Sequence, residues 1–268
     1  VLRRPEPAAA IRLPHVVLSG FDQMALDESL LHWAAASDGR FAARTYGWAR
    51  PTLSLGRAEP FPGRYDAAAL REAGIDVVRR PTGGDAVLHD EEVTFAVAAS
   101  VPGPWAARPR RFALLVAEAL AAALECVGLP ASVVGASGLA AAGRAAPGDR
   151  PCFARAAAGE VQIAGLKAAG IAARFTRGAA LCHASVPLTA RHRDVAAFRQ
   201  DADAARAELR AHARSLGEAM GRPVDAGEVA AELFRALEER FGVRLAEGDL
   251  EEIANLEDLE VVEGAREP

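Results

Sequence analysis

The chain has 268 residues, 51% hydrophobic and 25% charged, the balance of a soluble globular enzyme with length for one large domain. Its net charge of -5 argues against nucleic acid or an anionic membrane as a general partner. There is no signal-peptide-like core and no apolar run of the roughly 18 residues a bilayer span requires. The three cysteines are irregularly spaced, with no Cys-x-x-Cys, so neither a disulfide framework nor a zinc site is expected. A cytoplasmic protein with reduced thiols is the resulting expectation.

In chain order, Asp22 to Ala36 predicts a helix with Leu26, Leu30 and Trp33 on one face. Arg44–Tyr46 and Thr52–Leu55 read as short strands split by Gly47 and Pro51. Tyr65 to Ala73 reads as a short helix stopped by Gly74, and Asp76 to Arg80 as a strand broken by Pro81-Thr82-Gly83-Gly84. Strand character resumes at Val93–Val97. A strong helix is predicted from about Arg110 to Val127, with Cys126 as a small core hydrophobe. Gly135 to Arg150 reads as a loop. Glu160–Ile163, Ala168–Phe175 and Ala179–Val186 read as consecutive strands. Asp201–Met220 is a predicted helix, and Asp225-x-x-Glu228 opens another in capping-box style. This order points to an α+β fold with a mixed or antiparallel sheet. A single domain over 1–268 is expected, with a core at about 15–195 and a helical C-terminal extension at about 196–268.

Several chemistries lack their motifs. There is no Gly-x-x-x-x-Gly-Lys-Ser/Thr loop, no Gly-x-Gly-x-x-Gly fingerprint, no Gly-x-Ser-x-Gly elbow and no His-Glu-x-x-His. The six histidines are scattered without metal-ligand spacing, so no metal is expected.

Two features stand out. Lys167 is the sole lysine among 31 basic residues. Arginine cannot be deprotonated in practice and lysine can, so a lysine kept against such a bias invites a chemical role. The second is Arg79-Arg80-Pro81-Thr82-Gly83-Gly84-Asp85-Ala86-Val87-Leu88-His89-Asp90. Paired glycines let backbone N–H groups approach a ligand closely, although a plain hairpin-like turn has the same look.

This segment resembles the lipoate-protein ligase and octanoyltransferase family, whose pattern is Arg-Arg-x-Ser/Thr-Gly-Gly followed by Ala-Val-x-His-Asp. Gln23–Glu28, Pro51–Arg57 and Glu160–Leu188 resemble further family stretches in the family's order, so the likeness covers most of residues 15 to 190. It implies an α+β fold with an acyl tunnel beside a large sheet. The family contains ATP-using ligases, which usually carry a third glycine at position 85, and cysteine-dependent octanoyltransferases, which often carry a basic residue there. Asp85 departs from both. An aromatic usually precedes the glutamate, where this chain has Ala158-Gly159, and Ala173 stands where a glutamine is expected.

Cys152-Phe153, ahead of Glu160 and Lys167, is similar to the nucleophile region of the cysteine-dependent branch. The resemblance implies that Cys152 carries the acyl group as a thioester. Lys167 and Arg150 would lower the thiol pKa, and Lys167 would steady the carbonyl oxygen. A buried core thiol is the bland alternative for Cys152, and Cys182 is read as core. Arg80, Thr82, Gly83, Gly84, Ala86, His89 and His183 form the implied acyl site; ordinary turn and strand-end residues are the alternative reading of the two histidines. The implied activity is octanoyl transfer from acyl carrier protein to a lysine of lipoyl-domain proteins, without cofactor. The arginines from 108 to 111 would meet the acidic carrier. The alternatives are an ATP-dependent lipoate ligase, an acyl-binding relative without turnover, and a transferase between lipoyl domains.

Overall fold

The computed structural model describes residues 9–101, 103, 109–135, 151–154 and 159–254. The predicted loop from 136 to 150, Arg150 included, and Arg108 lie outside them.

The chain opens with β1 (Ala9–Arg12), β2 (Val16–Leu18) and α1 (Gly20–Ala35), the last capped by the Ser19 side chain on Asp22 N. β3 (Arg40–Trp48), β4 (Thr52–Leu55), α2 (Ala67–Glu72) and β5 (Asp76–Arg79) follow. β6 (Val87–His89), β7 (Glu92–Val101), α3 (Pro109–Cys126) and β8 (Ala131–Val133) come next. After a 3-10 turn at Cys152–Ala154 come β9 (Val161–Ile163), β10 (Leu166–Phe175) and β11 (Gly178–Pro187). A longer 3-10 segment, Ala190–Phe198, leads to α4 (Ala202–His212), α5 (Leu216–Met220), α6 (Ala226–Phe241) and β12 (Ala246–Glu247).

The large sheet runs β12-β1-β3-β7-β11-β10-β9-β8, with β2 also paired to β3. β1 is parallel to both of its neighbours and β2 is parallel to β3, while the remaining pairs are antiparallel. The expected α+β fold with a mixed sheet is therefore observed. Alternation sorts the side chains between two faces. Phe41, Phe95, Val97 and Cys182 join a core with α3 and α6, while Ala42, Ala96, Ala98 and Leu181 face Leu26, Leu30 and Leu31 of α1. A small second sheet, β5-β4-β6, closes a third apolar cluster with Phe153, Val195 and Leu209.

Three local expectations are corrected. Arg44–Tyr46 belongs to one nine-residue strand, because β3 is buried on both faces and shows no simple alternation. The helix expected over Asp201–Met220 is two helices. Ala213 breaks away to pair with Lys167, and Ser215 caps α5 with a full capping box. Cys126 is exposed, not core, with its sulfur 2.8 Å from an Arg235 guanidinium nitrogen. Asp225 does cap α6, accepting from Glu228 N at 2.8 Å.

Candidate functional site

Lys167 begins the second strand of a tight hairpin. Ala164 and Gly165, with φ of 50° and 80°, form the two-residue turn between β9 and β10. The register shifts between Lys167 and Ala169, a bulge of the kind that re-aims a side chain. On the other side, Arg214 N donates to Lys167 O at 2.9 Å. The lysine is thus held by the hairpin and by the turn between α4 and α5.

Its side chain is 1% exposed and points at the 3-10 turn that carries the cysteine. Nζ donates to Cys152 O at 2.7 Å and to Glu160 Oε1 at 2.6 Å, and lies 3.6 Å from Cys152 Sγ. The Phe153 ring centroid is 5.0 Å from the same nitrogen. Gly170 lies alongside: a Cβ there would come within 3.6 Å of Cys152 Sγ and 3.5 Å of the Phe153 ring. The backbone of β10 thus passes in contact with the thiol and the Phe153 ring.

Burial alone would strip the proton from Lys167, but Cys152 and Glu160 outweigh it and hold its pKa above the ordinary lysine value. For Cys152 burial prevails. It pushes the thiol up, Lys167 and Arg80 pull it down, and Glu160 and Asp85 push it up further. The expected pull of Lys167 on the thiol is thus present, but burial outweighs it and leaves the Cys152 pKa above the ordinary thiol value.

The Arg79–Asp85 stretch is a turn clamped from beneath. Arg80, 4% exposed, donates to Ser54 O at 2.8 Å, to Gly83 O at 2.9 Å and to Asp85 O at 2.8 Å. Arg79 donates to Gly56 O at 2.7 Å and Glu59 O at 2.8 Å. Gly84 has φ +97°, and its carbonyl lies against Gly56, where a Cβ would sit 1.8 Å away. At Gly83 a Cβ would meet nothing within 4 Å, so this backbone faces open space. Ala86 is buried in the third cluster.

Thr82 and His183 meet under this turn. Thr82 Oγ1 and His183 Nε2 are 2.6 Å apart, and His183 Nδ1 is 2.9 Å from Asp27 Oδ2. Arg44 donates to Asp27 Oδ1 at 2.6 Å and Tyr46 to Oδ2 at 3.0 Å. Burial would raise Asp27, but Arg44 and then His183 outweigh it, so the carboxylate stays ionised. An ionised Asp27 makes Nδ1 the donor, and Thr82 then donates to Nε2. His89 is separate: it bonds Ser54 at 2.7 Å and Glu92 at 2.7 Å, and stacks on Trp48 at 4.1 Å. Both histidines thus have both ring nitrogens engaged within the protein. A groove of about 610 Å³ runs along α1, with Met24, Arg57, Arg79, Arg80 and Arg174 among its walls. Alternation along β5 would put Arg79 and Arg80 on opposite faces, but the strand ends at Arg79 and both reach this groove.

The structure thus brings together Cys152 and Lys167, and Thr82 with His183, while Arg80 shapes the turn between them. Glu160 and Asp27 fall in the family-like stretches but, like Arg44, were given no role from the sequence. The signal for Glu160 was present: it precedes the lone lysine by seven residues, across a hairpin turn that folds the two together. Among the described residues no group of three or more His, Cys, Asp or Glu is placed to hold a metal. No helix among them is long and apolar enough to cross a membrane.

A half-buried thiol with a buried ammonium and carboxylate, beside a glycine turn on a mixed sheet, forms a site suited to group transfer. The lipoyl protein ligase A/B catalytic domain matches residues 19–238, and the chain belongs to that family. It is 34% identical over 253 residues to the octanoyltransferase LipM of Moorella thermoacetica, covering 92% of each chain. It is 34% identical over 237 residues to the octanoyltransferase LipM of Kyrpidia tusciae, covering 85% of each. The fold is similar to that of a lipoate-protein ligase A bound with ATP, with a TM-score of 0.73, 19% identity and 94% of each chain covered. It is also similar to a bi-partite lipoate protein ligase from Thermoplasma acidophilum, with a TM-score of 0.72, 21% identity and 94% and 92% of the chains covered.

Proposed function

We propose that this chain is an octanoyltransferase of protein lipoylation that works through a thioester on Cys152. Its relatives named octanoyltransferase support the activity. The observation that carries the mechanism is the 3.6 Å approach of the buried Lys167 Nζ to the half-buried Cys152 Sγ. The donor is an octanoyl thioester of acyl carrier protein. The Cys152 sulfur attacks its carbonyl, a new C–S bond forms, the carrier C–S bond breaks, and the thiol proton leaves on the carrier thiol. The Lys167 ammonium donates to the carbonyl oxygen as negative charge gathers there. The neutral amine of a lipoyl-domain lysine then attacks the acyl-enzyme. The C–N bond forms, the C–S bond to Cys152 breaks, and the proton shed by the nitrogen returns to the sulfur.

A thioester is already activated, so this scheme needs no ATP and no metal. In it Arg80, Thr82, Gly83, Gly84 and Ala86 build the turn that borders the acyl site, while His183 and His89 brace that turn and the strands behind it. The chain acts as one catalytic domain, a reading supported by the contact of Arg214 with the Lys167 backbone. A reduced nucleophilic thiol suits the cytoplasm.

Intact-protein mass spectrometry after mixing with octanoyl-acyl carrier protein, without ATP, tests the scheme. Wild type gains a hydroxylamine-labile octanoyl adduct and Cys152→Ala gains none. Transfer that appears only with ATP and free acid, and that survives Cys152→Ala, would show a ligase instead.

A further inference from the structure

The scheme above leaves Glu160 without a task, yet its carboxylate lies 2.6 Å from Lys167 Nζ. The pair is buried, with side-chain exposures of 10% and 1%. Its geometry is fixed by backbone, since Glu160 leads into β9 and the Ala164-Gly165 turn returns the chain to Lys167. A carboxylate in this place has two opposed effects. It keeps the buried ammonium charged and aimed, and it offsets the field by which that ammonium would ionise the thiol 3.6 Å away. The other charged groups acting on the thiol are Arg80, at the end of β5, and Asp85, in the glycine turn.

We propose that Glu160 is a positioning residue that sets the charge state of the Cys152–Lys167 pair, holding Lys167 as a fixed ammonium while the resting thiol keeps its proton. The thiolate is the form that electrophiles and oxidants attack, so this arrangement shields the nucleophile between turnovers. With the carboxylate gone, the ammonium is freed to stabilise a thiolate. This rests on the reading of Cys152 as the acyl carrier.

The test is the pH profile of Cys152 alkylation by iodoacetamide, read by peptide mass spectrometry so that Cys126 and Cys182 are counted apart, in wild type, Glu160→Gln and Glu160→Asp. The pH profile of octanoyl-adduct formation is measured beside it. In Glu160→Gln the alkylation midpoint falls by at least about one pH unit, equivalent to about tenfold faster labelling below the midpoint. The adduct profile moves the same way. Glu160→Asp moves both by a smaller step, and decides the matter alone if the glutamine variant does not fold. Midpoints that stay or rise in both variants overturn the proposal. Failure of wild type to form an adduct sinks the acyl-carrier reading separately, because the alkylation profile still reports what Glu160 does to the thiol.

Discussion

Buried charge at the residue scale is compensated by short contacts, among them Lys167 with Glu160 and Arg44 with Asp27. The second pair is fully buried and has no exposed atom through which water could replace a lost partner. Arg44→Ala leaves the Asp27 carboxylate unpaired against His183 and Tyr46. The expected loss is about 3–5 kcal/mol of unfolding free energy, measured by urea denaturation. A loss below about 1 kcal/mol would mean that the network relaxes around the gap. These residues also show where sequence reading stops. Cys152 and Lys167 were legible because a lone lysine and a family-like Cys-Phe stand out. Asp27 and Arg44 were not, because a carboxylate within a predicted helix and an arginine in an arginine-rich chain look like surface. Only the packing of α1 on β3 turns them inward.

The double-glycine turn illustrates the element scale. Its glycines have different reasons. Gly84 is left-handed and Gly56 receives its carbonyl, whereas Gly83 borders open space. Gly56→Ala should therefore displace the turn, lowering the melting temperature by several degrees and octanoyl-adduct formation by about tenfold or more, while Gly83→Ala leaves the melting temperature unchanged. Equal stability losses for both would contradict this division. The helices α1, α3 and α6 and the strands β10 and β11 were readable from the sequence, with ends within a few residues of those observed, whereas β3 and the α4–α5 pair were not. The short strands β1, β2, β8 and β12 were not either, since segments of two to four residues carry little period and depend on the strands they pair with. The break between α4 and α5 escaped for a related reason: Ala213 leaves the helix to meet Lys167, a contact made across the fold.

Taken as a whole, the molecule joins a large sheet, a small sheet and a late helical segment around the Cys152–Lys167 dyad, and a histidine at that junction contributes to its response to acid beside Asp27, Glu92 and His183, whose values are also depressed. His192 is 1% exposed, lies 5.0 Å from the Phe153 ring and has Nδ1 3.0 Å from Thr189 O. Burial holds its pKa at about 4, below the ordinary 6.5. The unfolded chain then binds the proton more tightly. This contribution is complete above pH 6.5 and is lost progressively as pH falls toward 4. It amounts to about 3 kcal/mol. Urea midpoints measured from pH 7.5 to 4.5 should fall across this window in wild type and fall less in His192→Asn; parallel curves would assign the acid loss to other groups. The overall α+β class was visible in the order of strands and helices, but the second sheet was not, because nothing local in β4 to β6 says which strands they pair with. One further consequence concerns the lone, inward-facing lysine. The single lysine of the sequence is turned inward, 1% exposed, so the positive charge of the described exterior rests on guanidinium groups, which stay protonated and are poor acyl acceptors beside a lysine amine.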